Sequence, residues 1–480
     1  VMLNRWSQLL FCFMLVSVKS YSFDISEKKS KIEQSITITL PEAVALGMRN
    51  SNAIKSQALL RLNDKFDLRV AQDGFRPQLV FNSQYLRSTR GNLNSHERSS
   101  GVSASLLTPL GTQLTLDWSY RREEQDMSPR QQGGNVTFAL VQPLLRDAGT
   151  DVNTVALRLA EIDERMGQLR YQQQVAETIT NIILAYHRLL KAQQQFELSR
   201  QALHRANTQR DVVAKLINSG RVASLEQLQS DADIAEQQLR IAQEENELNA
   251  SRLALCGLLG IDNRTLLSAS KNLEIKKVAL KTDWAMEKAL QTQPDYLIQQ
   301  LASQKQKFYL IQAQNQRRWD VDLVAGAERN DIRGNDMQDN DRWQRYVGLN
   351  VSIPFNDMRA RQEELRAEIA EKKQRLDMAD SRQQLEEAVT QQIDMLNNSW
   401  QQYAIADRLT RLSEKKLQAE QTKLAAGRSS NFQVLSYQND LRFAQNARLN
   451  AQVDYLNVQA NLDMLIGYTL SRWGVELNDF

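Results

Sequence analysis

The sequence predicts a mainly α-helical chain interrupted by blocks of β-strand. It is built twice over from one unit of helix, strands, long helix and helix. Three observations predict this. First, turn glycines recur at equal spacing: Gly220 to Gly260 is 40 residues and Gly427 to Gly467 is also 40, and such internal repetition marks a duplicated unit. Second, no proline lies between Pro143 and Pro294 or after Pro354, and long proline-free runs rich in Gln, Ala, Leu, Arg and Glu read as extended helices. Third, two blocks alternate strictly between apolar and polar residues, the mark of a strand with two unlike faces.

The repeat extends upstream of the glycines. Ala71-Gln72-Asp73 with Arg76 matches Ala313-Gln314-Asn315 with Arg318 at an offset of 242, whereas the glycines match at 207, so the second copy is 35 residues shorter between those markers. A length of 480 residues would suit about two to four compact domains, but a mean hydropathy of −0.51 suits an extended, solvated molecule. Net charge is +3 from 60 basic and 57 acidic residues, which offers no footprint for a nucleic-acid partner. His96, His187 and His204 lack metal-ligand spacing. Cys12 and Cys256 leave no disulfide once the amino-terminal run is removed.

That amino-terminal run carries the compartment signal. Arg5 precedes ten mostly apolar residues, Leu9 to Val18, followed by Ser20 and Ser22. This is the pattern of a secretory signal peptide, assigned to residues 1–22. The run is shorter than the ~20 residues a helical span needs, and the rest of the chain holds no 18-residue apolar stretch. A mature chain that spans a membrane would therefore do so as a closed β-barrel.

The elements follow in order. Residues 23–76 comprise an extended segment and a first short helix from about Glu42 to Gly74, opened by Pro41 and closed by Pro77. Residues 77–143 form a first strand block, with strands near 79–87, 101–107, 114–120 and 135–142. Leu114, Leu116, Trp118 and Tyr120 alternate there with Gln113, Thr115, Asp117 and Ser119. The polar stretches 88–100, 122–134 and 330–343 read as loops. Residues 144–260 form a first long helical hairpin, with a helix over about 152–217. Residues 261–318 hold a linker and a second short helix over about 284–317. Residues 319–354 form the second strand block, where Val347, Leu349, Val351 and Ile353 alternate with Gly348, Asn350 and Ser352. Residues 355–467 form the second hairpin, with a helix over about 358–424, and 468–480 a tail. Each long helix spans ~100 Å at ~1.5 Å per residue. Val175, Ile179, Ile182, Tyr186, Leu189, Phe196 and Leu203 keep heptad-like spacing, as do Leu385, Val389, Ile393, Leu396, Trp400 and Tyr403. The offset of 207 superposes the two seams, as coiled-coil packing requires. The short helices would stack end to end with the return helices and complete the cover of the long ones.

A signal peptide, two strand–proline–long-helix–glycine-turn–helix copies and a helix before each strand block together resemble the TolC-type outer-membrane efflux and secretion channels. The resemblance covers essentially the whole mature chain. It is carried by Gln142-Pro143-Leu144-Leu145, Ile353-Pro354-Phe355 and the two Gly-Arg turns. It implies a mainly α chain with a β-barrel portion: a homotrimer whose strands close one β-barrel in the outer membrane, on a long periplasmic α-helical barrel. It implies a passive exit duct, for efflux or type I secretion, whose helical tips dock a periplasmic adaptor protein joined to an inner-membrane pump of the RND or ABC type. Members of the family commonly supply four strands per chain. The extra 35 residues here look like one more hairpin over roughly 101–121, which either enlarges the barrel to six strands per chain or lies outside it.

Several residues acquire candidate roles. Gly220 and Gly427 suit left-handed turns at the tips. Arg221, Ser224, Leu225, Arg428, Asn431 and Phe432 are candidate adaptor contacts, with hairpin core as the other reading for Leu225 and Phe432. The resemblance places constricting aspartates six and nine residues beyond the second tip glycine. Here those positions are Gln433 and Ser436, so that acidic ring is missing. Asp440, one turn further on, replaces it in part, and Glu226 occupies the matching place past the first glycine. Threefold rings of carboxylate favour cations; the alternative is that both are ordinary solvated charges. Trp118, Tyr120, Trp343 and Tyr346 sit near expected strand ends and suit an aromatic girdle at a membrane interface. No nucleophile elbow, phosphate loop or paired ligand set is present, so neither an enzyme nor a cofactor is expected. The competing function is a soluble periplasmic coiled-coil scaffold or adaptor, against which the amphipathic strands argue.

Overall fold

The structure is a computed structural model, and it describes residues 35–91, 93–126, 130–270, 275–333 and 343–477. The expected signal peptide and the last residues of the tail lie outside these. The chain runs β1 (Ser35–Ile38), α1 (Leu40–Asn50), α2 (Asn52–Asp73), β2 (Gln78–Arg90), β3 (Leu93–Leu107), β4 (Gln113–Gln125) and β5 (Gln131–Pro143). It continues through α3 (Thr150–Asn153), α4 (Val155–Asn218), α5 (Leu225–Leu259), β6 (Leu266–Ala269), α6 (Thr282–Thr292) and α7 (Pro294–Gln316). It ends with β7 (Asp320–Arg333), β8 (Trp343–Ser352), α8 (Met358–Ala425), α9 (Asn431–Leu465) and α10 (Thr469–Arg472). It is mainly helical, with one six-stranded sheet.

The long helices α4 and α8 fold back as hairpins onto α5 and α9. Lower down, α2 packs on α4 and α7 on α8. Each expected short helix is in fact two. Ser51 caps α2, its hydroxyl accepting from the Ile54 N–H at 3.3 Å, and Gln293 caps α7 ahead of Pro294. These breaks sit where the return helices end. Asn50 Nδ2 donates to the Leu259 carbonyl at 2.8 Å, and Thr292 Oγ1 donates to the Ile466 carbonyl at 2.7 Å. So α2 takes over from α5, and α7 from α9, as the partners of one continuous long helix.

The seams read from the sequence are buried at their centres. Val175, Ile179, Ile182, Tyr186 and Leu189 join α1, α5 and the small parallel β1–β6 pair in one core. Leu385, Val389, Ile393 and Leu396 join α6 and α9 in another. Towards the tip the seams thin. Phe196, Leu203, Trp400 and Tyr403 are half-buried, and the buried positions become small or polar: Ala202, Ala206 and Gln209 on α4, Ala406, Thr410 and Ser413 on α8. A third cluster of Leu417, Leu424, Val434 and Leu441 closes the second hairpin near its end.

The sheet is an antiparallel meander in the order β2-β3-β4-β5-β7-β8. The extra hairpin is therefore β3–β4, inside the sheet. The strands run further than the alternation suggested. Residues 93–100 belong to β3, 122–125 to β4 and 131–134 to β5, where loops were expected. The fold leaves β2 and β8 as unpaired edges of this sheet among the described residues.

Candidate functional site

Directly paired residues of antiparallel strands point to one face, and the face alternates along each strand. The register therefore sorts the sheet. One face carries the row Phe81–Val102–Trp118–Val136–Arg329–Trp343. Beside it runs Leu79–Ala104–Leu116–Phe138–Ala327–Arg345, and then Leu106–Leu114–Leu140–Ala325–Val347. The opposite face carries Val80–Ser103–Asp117–Thr137–Glu328–Gln344 and Asn82–Gly101–Ser119–Asn135–Asn330. Leu79, Phe81, Val347 and Leu349 on the first face stand exposed. A wide apolar face without a cover inside the chain marks a surface that meets lipid or another protein.

The aromatic candidates divide between these faces. Trp118 and Trp343 lie in the same transverse row, at the border of the apolar band, and Tyr120 lies one step beyond on the same face. Trp118 and Tyr120 sit in mid-strand, because β4 continues past the apolar band. Tyr346 is a correction. It pairs with Gly326 on the polar face, and its ring fills the space above that glycine, where an added Cβ would collide with Cζ. It is not placed for a girdle on the apolar side.

The two tips share one backbone device. Gly220 and Gly427 have φ of 70° and 72°. The Arg221 N–H donates to the Leu216 carbonyl at 2.9 Å, and the Arg428 N–H to the Lys423 carbonyl at 2.8 Å. These are Schellman closures, which require a left-handed residue after the helix. Arg221, Ser224 and Arg428 are exposed. Leu225 and Phe432 are 66% and 65% exposed, which removes the hairpin-core reading for both within this chain. Asn431 is the second correction. It is 2% exposed, so it does not belong to a contact surface. Its Oδ1 accepts from Gln209 Nε2 at 2.8 Å and its Nδ2 donates to Ser230 Oγ at 3.3 Å, tying α9 to both helices of the first hairpin.

The constriction candidates lie just above the tips. Glu226 and Gln433 occupy the first turns of α5 and α9, and Gln433 and Ser436 are half-buried. Asp440 is exposed but paired: Lys416 Nζ on α8 stands 3.0 Å from its carboxylate. The ammonium also lies 3.7 Å from the centroid of the Tyr437 ring. Sequence reasoning missed this pair, the Gln209–Asn431–Ser230 chain and the link from Arg442 to Glu236 at 3.3 Å. All three join residues on different helices, which no local pattern reports. Among the described residues no helix is long and apolar enough to cross a membrane, and no cluster of metal-ligating side chains occurs.

No family model and no curated protein sequence matches the chain. Solved structures do. The structure of CusC, described with its transmembrane channel formation, superposes with a TM-score of 0.69 at 15% identity, over 90% of this chain and 93% of that one. The Campylobacter jejuni CmeC outer membrane channel gives 0.65 at 14%, over 90% and 86%. The Vibrio cholerae outer membrane protein VceC gives 0.65 at 14%, over 89% and 96%. This chain has the fold of TolC-type outer-membrane channels.

Proposed function

We propose that this protein is an outer-membrane exit duct, a passive channel assembled from three copies. One observation carries the reading: a six-stranded meander with one apolar face, one polar face and two open edges. Open edges are an aggregation hazard that closure removes. Three copies would bring 3 × 6 strands into one barrel, and barrels of about 16–18 strands leave an aqueous lumen. The apolar face would meet lipid, and the Ser-, Thr- and Asn-rich face would line water. The helical hairpins would extend into the periplasm as a second, helical wall, wetted on two sides, which accounts for the polar composition of α4 and α8.

A duct of this form has no energy source of its own. It would be driven by an inner-membrane pump of the RND or ABC type through a periplasmic adaptor, docked on the tips at Gly220, Arg221, Ser224, Leu225, Gly427, Arg428 and Phe432. Exposed Leu225 and Phe432, at matched places on the two hairpins, give the tip its apolar contact points. A soluble periplasmic scaffold is disfavoured by the width of the apolar sheet face. The test is membrane fractionation, extraction in mild detergent and measurement of oligomeric mass. An outer-membrane trimer is expected. A soluble monomer or dimer would overturn the proposal.

A further inference from the structure

Beyond the aromatic border, the apolar face of the sheet changes sign within two rows. The row after Trp118 is Ser83–Ser100–Tyr120–Gly134–Asp331. The next is Tyr85–Arg98–Arg122–Gln132, followed by Arg87–His96–Glu124. Arg98 and Arg122 are direct cross-strand partners, a juxtaposition of like charges that destabilises a strand pair. Both are held in place. The Arg98 guanidinium lies 5.4 Å over the ring of Tyr85, whose hydroxyl meets His96 Nδ1 at 3.0 Å. Arg122 donates to Glu124 from Nε at 3.0 Å and from Nη2 at 2.7 Å. Arg130 pairs with the same carboxylate. Two guanidiniums, those of Arg122 and Arg130, thus share the Glu124 carboxylate, and that of Arg98 stands across the strand pair from Arg122.

We propose that this arginine collar binds phosphate-bearing lipid headgroups; the inference rests on the barrel reading above. Arg122 lies four residues beyond Trp118 on β4, or ~13 Å along the strand at ~3.3 Å per residue. With the tilt of barrel strands that is ~10 Å above the aromatic row, within a side chain's reach of the headgroup layer. Guanidinium forks match phosphate oxygens in paired hydrogen bonds. An anion seated between Arg98 and Arg122 would offset their mutual repulsion. The collar continues directly from the apolar face that would meet the acyl chains, so one amphiphile can satisfy both.

The test uses the full-length protein reconstituted in phosphatidylcholine vesicles, with brominated phosphatidylglycerol or brominated phosphatidylcholine as quencher of Trp118 and Trp343 fluorescence. The expected result is at least about a fivefold preference for the anionic lipid, the factor expected from one surface cation. Arg87→Gln, Arg98→Gln and Arg122→Gln together should bring the ratio near one while the oligomeric mass stays unchanged. Equal quenching by the two lipids, or a preference that survives the triple variant, overturns the collar and leaves the barrel standing. Equal quenching by the two lipids in a protein that still binds inorganic phosphate, as titration calorimetry reads it, assigns the patch to the free anion and overturns the lipid reading. Quenching by neither lipid overturns the barrel and the collar together.

Discussion

Lys416 of α8 bridges to Asp440 of α9, 3.0 Å from nitrogen to oxygen, across the neck of the second hairpin. The carboxylate holds the ammonium above the usual lysine range, chiefly through their hydrogen bond. A threefold ring of Asp440 would therefore carry a threefold ring of Lys416 beside it, and the two fields would largely cancel. Removing either partner should uncover the charge of the other. In planar bilayers, Lys416→Ala should shift the reversal potential towards cation selectivity, because it uncovers the acidic ring. Asp440→Asn should produce a shift of opposite sign and similar size. Equal and unchanged reversal potentials in both variants would place the pair outside the conducting path.

Asp463 on α9 is buried beside Arg472 of α10, its Oδ2 2.5 Å from Nη1. Burial pushes its carboxyl up to about 6, against the opposing pull of Arg472. The sign follows from linkage. Between the ordinary aspartate value and about pH 6, the folded state binds more protons than the unfolded one. Stability from this residue is therefore greatest at low pH and falls as pH rises through that window. The shift corresponds to about 3 kcal/mol at most. Asp463→Asn keeps an acceptor for Arg472 but removes the titration. Urea midpoints of the variant should vary less than those of the parent between about pH 4 and about pH 6, and the variant should gain most near neutrality. Parallel pH profiles for the two proteins would sink this account.

The tip glycines offer a cleaner backbone test. An added Cβ at Gly220 or Gly427 would meet nothing within 4 Å. Any loss on substitution must then come from the left-handed backbone, which costs a Cβ-bearing residue about 1–2 kcal/mol. Gly220→Ala and Gly427→Ala should each speed amide exchange around their own turn by roughly the matching factor of 5 to 30. Asparagine, which tolerates this conformation better, should fall between glycine and alanine. Exchange rates that do not separate the three residues would mean that the turn is held by something other than its Schellman closure.

What the sequence disclosed depended on whether the cause was local. Glycine turns, proline stops and heptad seams are local, so the duplicated hairpins could be read directly. The strand ends could not. Residues 94–98 of β3 and 121–125 of β4 are polar on both faces, because those strands continue past the apolar band, and the period-two pattern disappears there. Tyr346 was legible after all. It stands three residues from Trp343, and two residues an odd number apart on one strand cannot share a face. Asn431 was not legible. Matched to exposed Ser224, it looks like an ordinary polar residue at a helix start, and only the packing of α9 against α4 and α5 buries it.

That burial supports a last prediction. The chain Gln209–Asn431–Ser230 lies near the tips, buried throughout, and connects the two hairpins side chain to side chain. In the proposed channel, any widening of the mouth by separation of the hairpins would have to break it. Asn431→Ala would leave the Gln209 amide and the Ser230 hydroxyl without this partner, at a cost of about 1–3 kcal/mol for a stranded buried group. The native contact would be weakened relative to any separated arrangement, in which water satisfies the freed groups. Asn431→Ala should therefore raise single-channel conductance or open time and expose the residues around Gly427 to proteolysis. Combining Asn431→Leu with Gln209→Leu should restore much of the closed behaviour, since replacing both partners with apolar groups leaves no stranded donor. The contrast between the single and the double variant is decisive. If both raise conductance alike, the hydrogen bonds are not the latch and the packing volume at Asn431 is. If neither does, the hairpins are held together elsewhere, with Arg442 and its contacts to Glu236 and Gln237 as the next joint to cut.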